Sequence, residues 1–228
     1  MTEHIVSSYD DELQGLAGSV AEMGGMAEDL VYQAFQSLLK SDSDLARKVI
    51  AADRDVNAMQ HDIEERAILT IARRQPMAQD LREIIAAIRI ASDLERVADL
   101  AKNISRRTLA TERDTVGQKL LVGVEHLAQL GQRQLNNVLN SYGSRNVELA
   151  RQVWADDDEI DAVYTSLFRE LLTYMMEDPR NISMCTHLLF CAKNVERIGD
   201  HATNIAETVH YLVTGEPLED YRRQPAES

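Results

Sequence analysis

Apolar residues return at every third or fourth position over stretches far longer than an ordinary helix: Leu13, Leu16, Val20, Met23, Ala27, Leu30, Ala34 and Leu38, then Leu45, Val49, Val56, Ile63, Ala67 and Ile71. A strand would need alternation, and no run of alternating β-branched and polar residues bounded by turn signals occurs. The chain reads as all-α. Breaks fall at Ser41-Asp42, at Gln75-Pro76, around Thr108 to Asp114, at Gly143-Ser144 and at Asp178-Pro179. They leave six long helices of roughly 28 to 34 residues, each about 45 Å long at ~1.5 Å per residue. Pro76 and Pro179 fit the first turn of the helix that follows, where a missing N–H costs nothing. Arg73-Arg74 and Arg106-Arg107 close helices, where cations complement the carbonyl end of the dipole.

A helix with one apolar stripe cannot bury it alone, and short connections make successive helices antiparallel, so a bundle follows. The chain also repeats itself. Asp93-Leu94-Glu95-Arg96-Val97-Ala98-Asp99, ending at Asn103-Ile104, returns 101 residues later as Asn194-Val195-Glu196-Arg197-Ile198-Gly199-Asp200, ending at Asn204-Ile205. Leu45-Ala46, Val49, Asp53, Val56 and Asn57 return at an offset of 104 as Leu149-Ala150, Val153, Asp157, Ile160 and Asp161. Two tandem, pseudo-symmetric three-helix bundles are expected, over 1–108 and 109–214, with a polar tail over 215–228 that carries Pro217 and Pro225.

With 24 basic and 38 acidic residues the formal net charge is −14, which argues against nucleic acid or an anionic membrane as partner. No long apolar run and no secretory signal is visible, so a cytoplasmic protein without membrane insertion is expected. Cys185 and Cys191, six apart on a helix, read as reduced core thiols. No phosphate-binding loop, nucleophile elbow, dinucleotide fingerprint or His-Glu-x-x-His is present.

The repeated segments place acids where the core should be. On a helical wheel Glu95 continues the stripe of Ile84, Ile88 and Ala91, with Asp99 beside it. Glu196 and Asp200 border the stripe of Leu188, Ala192 and Val195, and Asp53/Asn57 and Asp157/Asp161 hold the equivalent margin on the middle helices. Each is an i, i+4 pair, and a like-charge pair costs a helix about 0.2–0.5 kcal/mol when solvated and more when partly buried. If pairs from adjacent helices approach across a groove, a bound cation makes them tolerable. Oxygen-only ligands suit Mg²⁺, Mn²⁺ or iron, singly or as a multinuclear site, and disfavour zinc.

Two other readings stay open: a carboxylate-bridged metalloenzyme, and a metal-free structural bundle in which Arg96 and Arg197 neutralise the acids. A ferritin-like di-iron pattern is met once, at Glu207 and His210, and fails at their counterparts Arg106 and Leu109. His201 reads as a surface histidine rather than a ligand, and Met23, Met26, Met175 and Met176 as core filling.

With Gln75-Pro76-Met77-Ala78-Gln79-Asp80-Leu81-Arg82 ahead of the first repeated segment, the chain resembles the PhoU-type phosphate-uptake regulators from about Tyr9 to Leu212. The resemblance implies a non-enzymatic regulator that damps phosphate uptake and silences the phosphate-starvation response, acting between the ATPase subunit of a phosphate ABC transporter and a sensor histidine kinase. It further implies metal clusters on Asp53, Asn57, Glu95 and Asp99 in the first unit and on Asp157, Asp161, Glu196 and Asp200 in the second. Asn57 departs from the acidic pattern and weakens the first set. Monomer and homodimer both remain open.

Overall fold

The computed structural model describes residues 2–111 and 118–218, with side chains described over 9–111 and 120–218. Helices α1 (Thr2–Leu39), α2 (Ser43–Arg74) and α3 (Ala78–Ala110) form the first unit. Helices α4 (Gln118–Ser144), α5 (Val147–Ala155), α6 (Asp157–Glu177) and α7 (Ile182–Thr214) form the second. There is no strand among the described residues. The outer part of the break around Thr108 to Asp114, and the tail beyond residue 218 with Pro225, lie outside the described residues.

The turns follow their sequence chemistry. Asp42 caps α2, its carboxylate accepting from the backbone N–H groups of Asp44 and Leu45. Gln75 ends that helix in a left-handed conformation at φ 50°. Gly215 does the same for α7 at φ 77°, where a residue without Cβ is the least strained choice. Pro76, however, stands before α3, whose N-cap is Met77, so the helix begins two residues later than expected. Pro179 opens a single 3₁₀ turn, Pro179–Asn181, rather than α7 itself.

The expected fifth helix is two helices, broken at Asp156. Four consecutive acids, Asp156 to Glu159, cannot all sit comfortably in a helix interior, since aspartate competes for backbone hydrogen bonds and crowds like charge. At a helix N-terminus the same residues are favourable, and Asp157, Asp158 and Glu159 occupy the first turn of α6.

One continuous apolar core runs through both units, from Val20, Met23, Val31 and Phe35 of α1 to Leu188, Val195, Ile198 and Val209 of α7, all essentially dry. Each large aliphatic side chain so withdrawn from water contributes about 1.5–3 kcal/mol. Met23 belongs to this core and Met26 and Met175 pack against it. Met176 does not: it is 82% exposed, because it lies on the outer face of the last turn of α6. Cys185 and Cys191 are buried and unpaired, as expected, and burial pushes the Cys191 thiol up to about 12.

Helices α3 and α7 meet along a seam between the units. His201 Nδ1 on α7 lies 2.9 Å from Asp93 Oδ1 on α3, Asn204 Nδ2 donates to the same oxygen at 3.4 Å, and the Arg107 guanidinium stacks over the Phe190 ring at 4.2 Å. His201 is thus not a surface residue but a strut of the seam, its side chain 17% exposed.

Candidate functional site

In the first unit the groove between α2 and α3 is closed by a side chain of the chain itself. Lys102 Nζ lies 2.8 Å from Asp53 Oδ2 and 2.6 Å from Asp99 Oδ1. Asp53 is buried, and its other oxygen, Oδ1, has no donor; neither has Asn57 Oδ1, buried four residues along α2. Glu95 turns to Arg96, whose Nε is 3.4 Å from Oε2. Asn103 Nδ2 donates to Asp99 Oδ2 at 3.1 Å. Burial works to raise the Asp99 carboxyl, but the Lys102 ammonium outweighs it, with Asn103 and Arg106 adding to the same effect, and holds it below the usual range. Burial likewise works to lower Lys102, and the Asp53 and Asp99 carboxylates outweigh it, so the ammonium is held above its ordinary value. The structure brings Asp53 and Asp99 together through a lysine.

The second unit is arranged differently. Asp157 stands at the first position of α6 and accepts from Gln134 Nε2 of α4 at 3.4 Å. Glu196 is met by Lys193 Nζ on its own helix, while its Oε2 is buried without a donor. Burial pushes the Asp200 carboxyl up, and the charges of Glu196 and Asp157 add to this; Lys193 opposes it, and Asp161 adds a smaller push upward. All four expected residues therefore share one electrostatic neighbourhood. The helices can approach this closely because residue 199 has no side chain: a Cβ there would stand 3.0 Å from Gln134 Oε1 and 3.3 Å from Asp157 Oδ1. Gln134 is buried, its amide donates to Val153 O at 3.1 Å, and its Oε1 has no donor. It adds an oxygen to the rim of the groove that the acidic pattern did not reveal.

The neutralising cations are thus Lys102 and Lys193. Arg96 meets only Glu95 beside it, and Arg197 is exposed and makes no ion pair among the described residues. The sequence holds the clue to Lys102, because it falls three residues after Asp99 on the same face, where the repeat has Thr203. Glu207 and His210 serve elsewhere: Trp154 Nε1 donates to Glu207 Oε1 at 3.3 Å, and His210 Nε2 lies 3.3 Å from Arg151.

The two grooves fit a cation unequally. The second offers carboxylate and amide oxygens, several like charges, and two buried acceptors without donors, which suits a hard cation, with the Lys193 ammonium only at its margin against Glu196. Among the described residues no three His, Cys, Asp or Glu side chains stand close enough to share an ion as they now lie, and Asp161 and Asp200 are exposed. The first groove already contains a positive charge between the two carboxylates it brings together.

The sequence model of the PhoU domain matches residues 20–108 and again 124–209. The chain is 58% identical over 212 residues to a phosphate-specific transport system accessory protein PhoU homolog of Rhizobium meliloti (strain 1021), covering 93% of this chain and 90% of that one. It is 37% identical over 216 residues to the accessory protein PhoU of Escherichia coli (strain K12), covering 95% and 89%. The crystal structure of PhoU from Pseudomonas aeruginosa superposes with a TM-score of 0.87 at 38% identity, over 91% of this chain and 100% of that chain. The phosphate transport system regulatory protein PhoU of Streptococcus pneumoniae gives 0.85 at 26% identity, over 92% and 99%. Helix order, the repeated acidic segments and near-complete coverage agree, and the chain belongs to the PhoU family.

Proposed function

We propose that the chain is a non-enzymatic accessory regulator of phosphate uptake, working in the cytoplasm as an adaptor between the ATPase subunit of a phosphate ABC transporter and the sensor histidine kinase of the phosphate-starvation response. The observation that carries this is the 58% identity, over 93% of the chain, to a protein named as an accessory of the phosphate-specific transport system. Among the described residues no helix is long and apolar enough to cross a membrane, in keeping with a protein that docks on membrane partners rather than inserting beside them. The second acidic groove is read as a site for Mg²⁺, Mn²⁺ or iron. Asp157, Asp161, Glu196 and Asp200 would hold the ion, with Gln134 Oε1 at the rim. The ion would supply positive charge and cross-link α6 to α7, fixing the shape and potential of that face.

The test is genetic and physical. In a strain lacking the gene and grown in ample phosphate, a phosphate-starvation reporter should be on, and the intact chain should switch it off. Purified chain should also retain the transporter ATPase subunit and the kinase's cytoplasmic part. A reporter indifferent to the gene, together with no retention of either partner, would overturn the assignment.

A further inference from the structure

We propose that Lys102 is the resident cation of the first groove, so that the two halves differ in kind: the second groove takes a divalent metal, and the first keeps it out with an ammonium of the chain's own. This rests on the metal reading of the second groove. Lys102 reaches from α3 to α2, touching Asp53 at 2.8 Å and Asp99 at 2.6 Å, with a side chain only 15% exposed. It therefore stands between two of the oxygens that a metal in this groove would need. A metal there would lie a few ångströms from a full positive charge, poorly screened by solvent. Lys193 is no equivalent in the second half. It is 48% exposed and meets Glu196 on its own helix, three residues away; across to α6 it lies over the Tyr164 ring, 5.4 Å from the centroid, and it pairs with no second carboxylate among the described residues. The residue matching Lys102 there is Thr203, which carries no charge and donates to Gly199 O at 3.1 Å.

Taking the ammonium away changes the character of the first groove. Asp53, Asn57, Glu95 and Asp99 would remain as oxygen donors. Asp53 Oδ1 and Asn57 Oδ1 are already buried and without donors. Such a set suits a hard cation for the reason the second groove does.

The experiment loads Mn²⁺ onto the full chain, removes the excess, and reads bound manganese by elemental analysis beside the melting temperature with and without Mn²⁺. Wild type should bind Mn²⁺, and Glu196→Gln with Asp200→Asn should lose it. Adding Lys102→Met to that double variant should restore bound Mn²⁺ and a Mn²⁺-dependent rise in melting temperature, whereas adding Lys102→Arg should not. Lys102→Thr, which copies Thr203, stands in if the methionine variant does not fold by circular dichroism. The proposal is overturned if the double variant keeps Mn²⁺ that Asp53→Asn with Asp99→Asn then removes, or if a folded lysine-free variant stays empty. If wild type binds none, the metal reading of the second groove falls separately. The lysine proposal is then decided by Lys102→Thr in the wild-type background: Mn²⁺ gained upholds it, and none gained overturns it.

Discussion

Asp99 and Asp200 occupy equivalent positions in the repeat and sit in opposite electrostatic settings. Lys102 lowers the first, while burial and neighbouring acids raise the second. Folding therefore releases a proton more readily at Asp99 and holds one more tightly at Asp200. The stability due to Asp99 is present above its unfolded pKa and is lost as pH falls through the lowered folded one. Asp200 contributes stability only at low pH, and loses it as pH rises through its raised folded pKa. In chelator at neutral pH, Asp200→Asn should raise the melting temperature by about 1–2 °C, the effect of relieving ~0.5 kcal/mol of like-charge repulsion in a chain of this size. Asp99→Asn should lower stability by about 1 kcal/mol, a figure discounted for a carboxylate 36% exposed, with or without metal. Thermal melts of both variants from about pH 2 to about pH 7, an interval that extends to both sides of the ordinary carboxylate value of about 4, check the signs. Equal shifts in the same direction would contradict the asymmetry. The acids were legible because an i, i+4 pattern needs only residue types. Their neutralisers were less so: the spacing brings Lys102 near Asp99, but whether Lys102 or Arg96 reaches across α2 and α3, or Arg197 across α6 and α7, depends on side-chain reach.

At the scale of the element, helix existence followed from the period of the apolar stripe, and exact ends did not. Asp42 was legible as a cap because its chemistry is local. The break at Asp156 also has a local cause, a run of four acids, that the apolar stripe passes over because Val153 and Ile160 keep their spacing across it. Met176 shows the opposite failure, an apolar residue at a helix end with nothing beside it to cover it. Helix-to-helix approach yields a sharper prediction. A Cβ at position 131 of α4 would stand 2.7 Å from Val195 Cγ1 of α7, whereas at position 18 of α1 it would meet nothing within 4 Å. Gly131→Ala should thus destabilise by about 1–3 kcal/mol of overpacking, partly offset by helix propensity. Gly18→Ala should stabilise by about 0.8–1.0 kcal/mol. Denaturant melts decide the matter, and equal effects at both sites would refute the packing of α4 on α7.

For the molecule as a whole, the duplication was legible in the two copies of the acidic segment, and with it the division into two helical units, although the break at Asp156 makes seven α-helices of the expected six among the described residues. How the copies join was not, because residues that face each other across α3 and α7 lie about a hundred positions apart and carry no shared pattern. Asp93, His201, Arg107 and Phe190 look ordinary until the seam places them together. Since one apolar core continues through both units, heat should unfold them in a single cooperative transition, with calorimetric and van't Hoff enthalpies equal. Two resolved transitions would show that the units melt independently.

The chain has a single tryptophan, Trp154, on α5 and tied to Glu207 of α7. Its fluorescence, excited selectively over that of tyrosine, therefore watches the second half alone, while the first half carries no indole. An emission change on adding a metal would locate the event without any label. Binding confined to the first half would show in bound metal and leave the light unchanged.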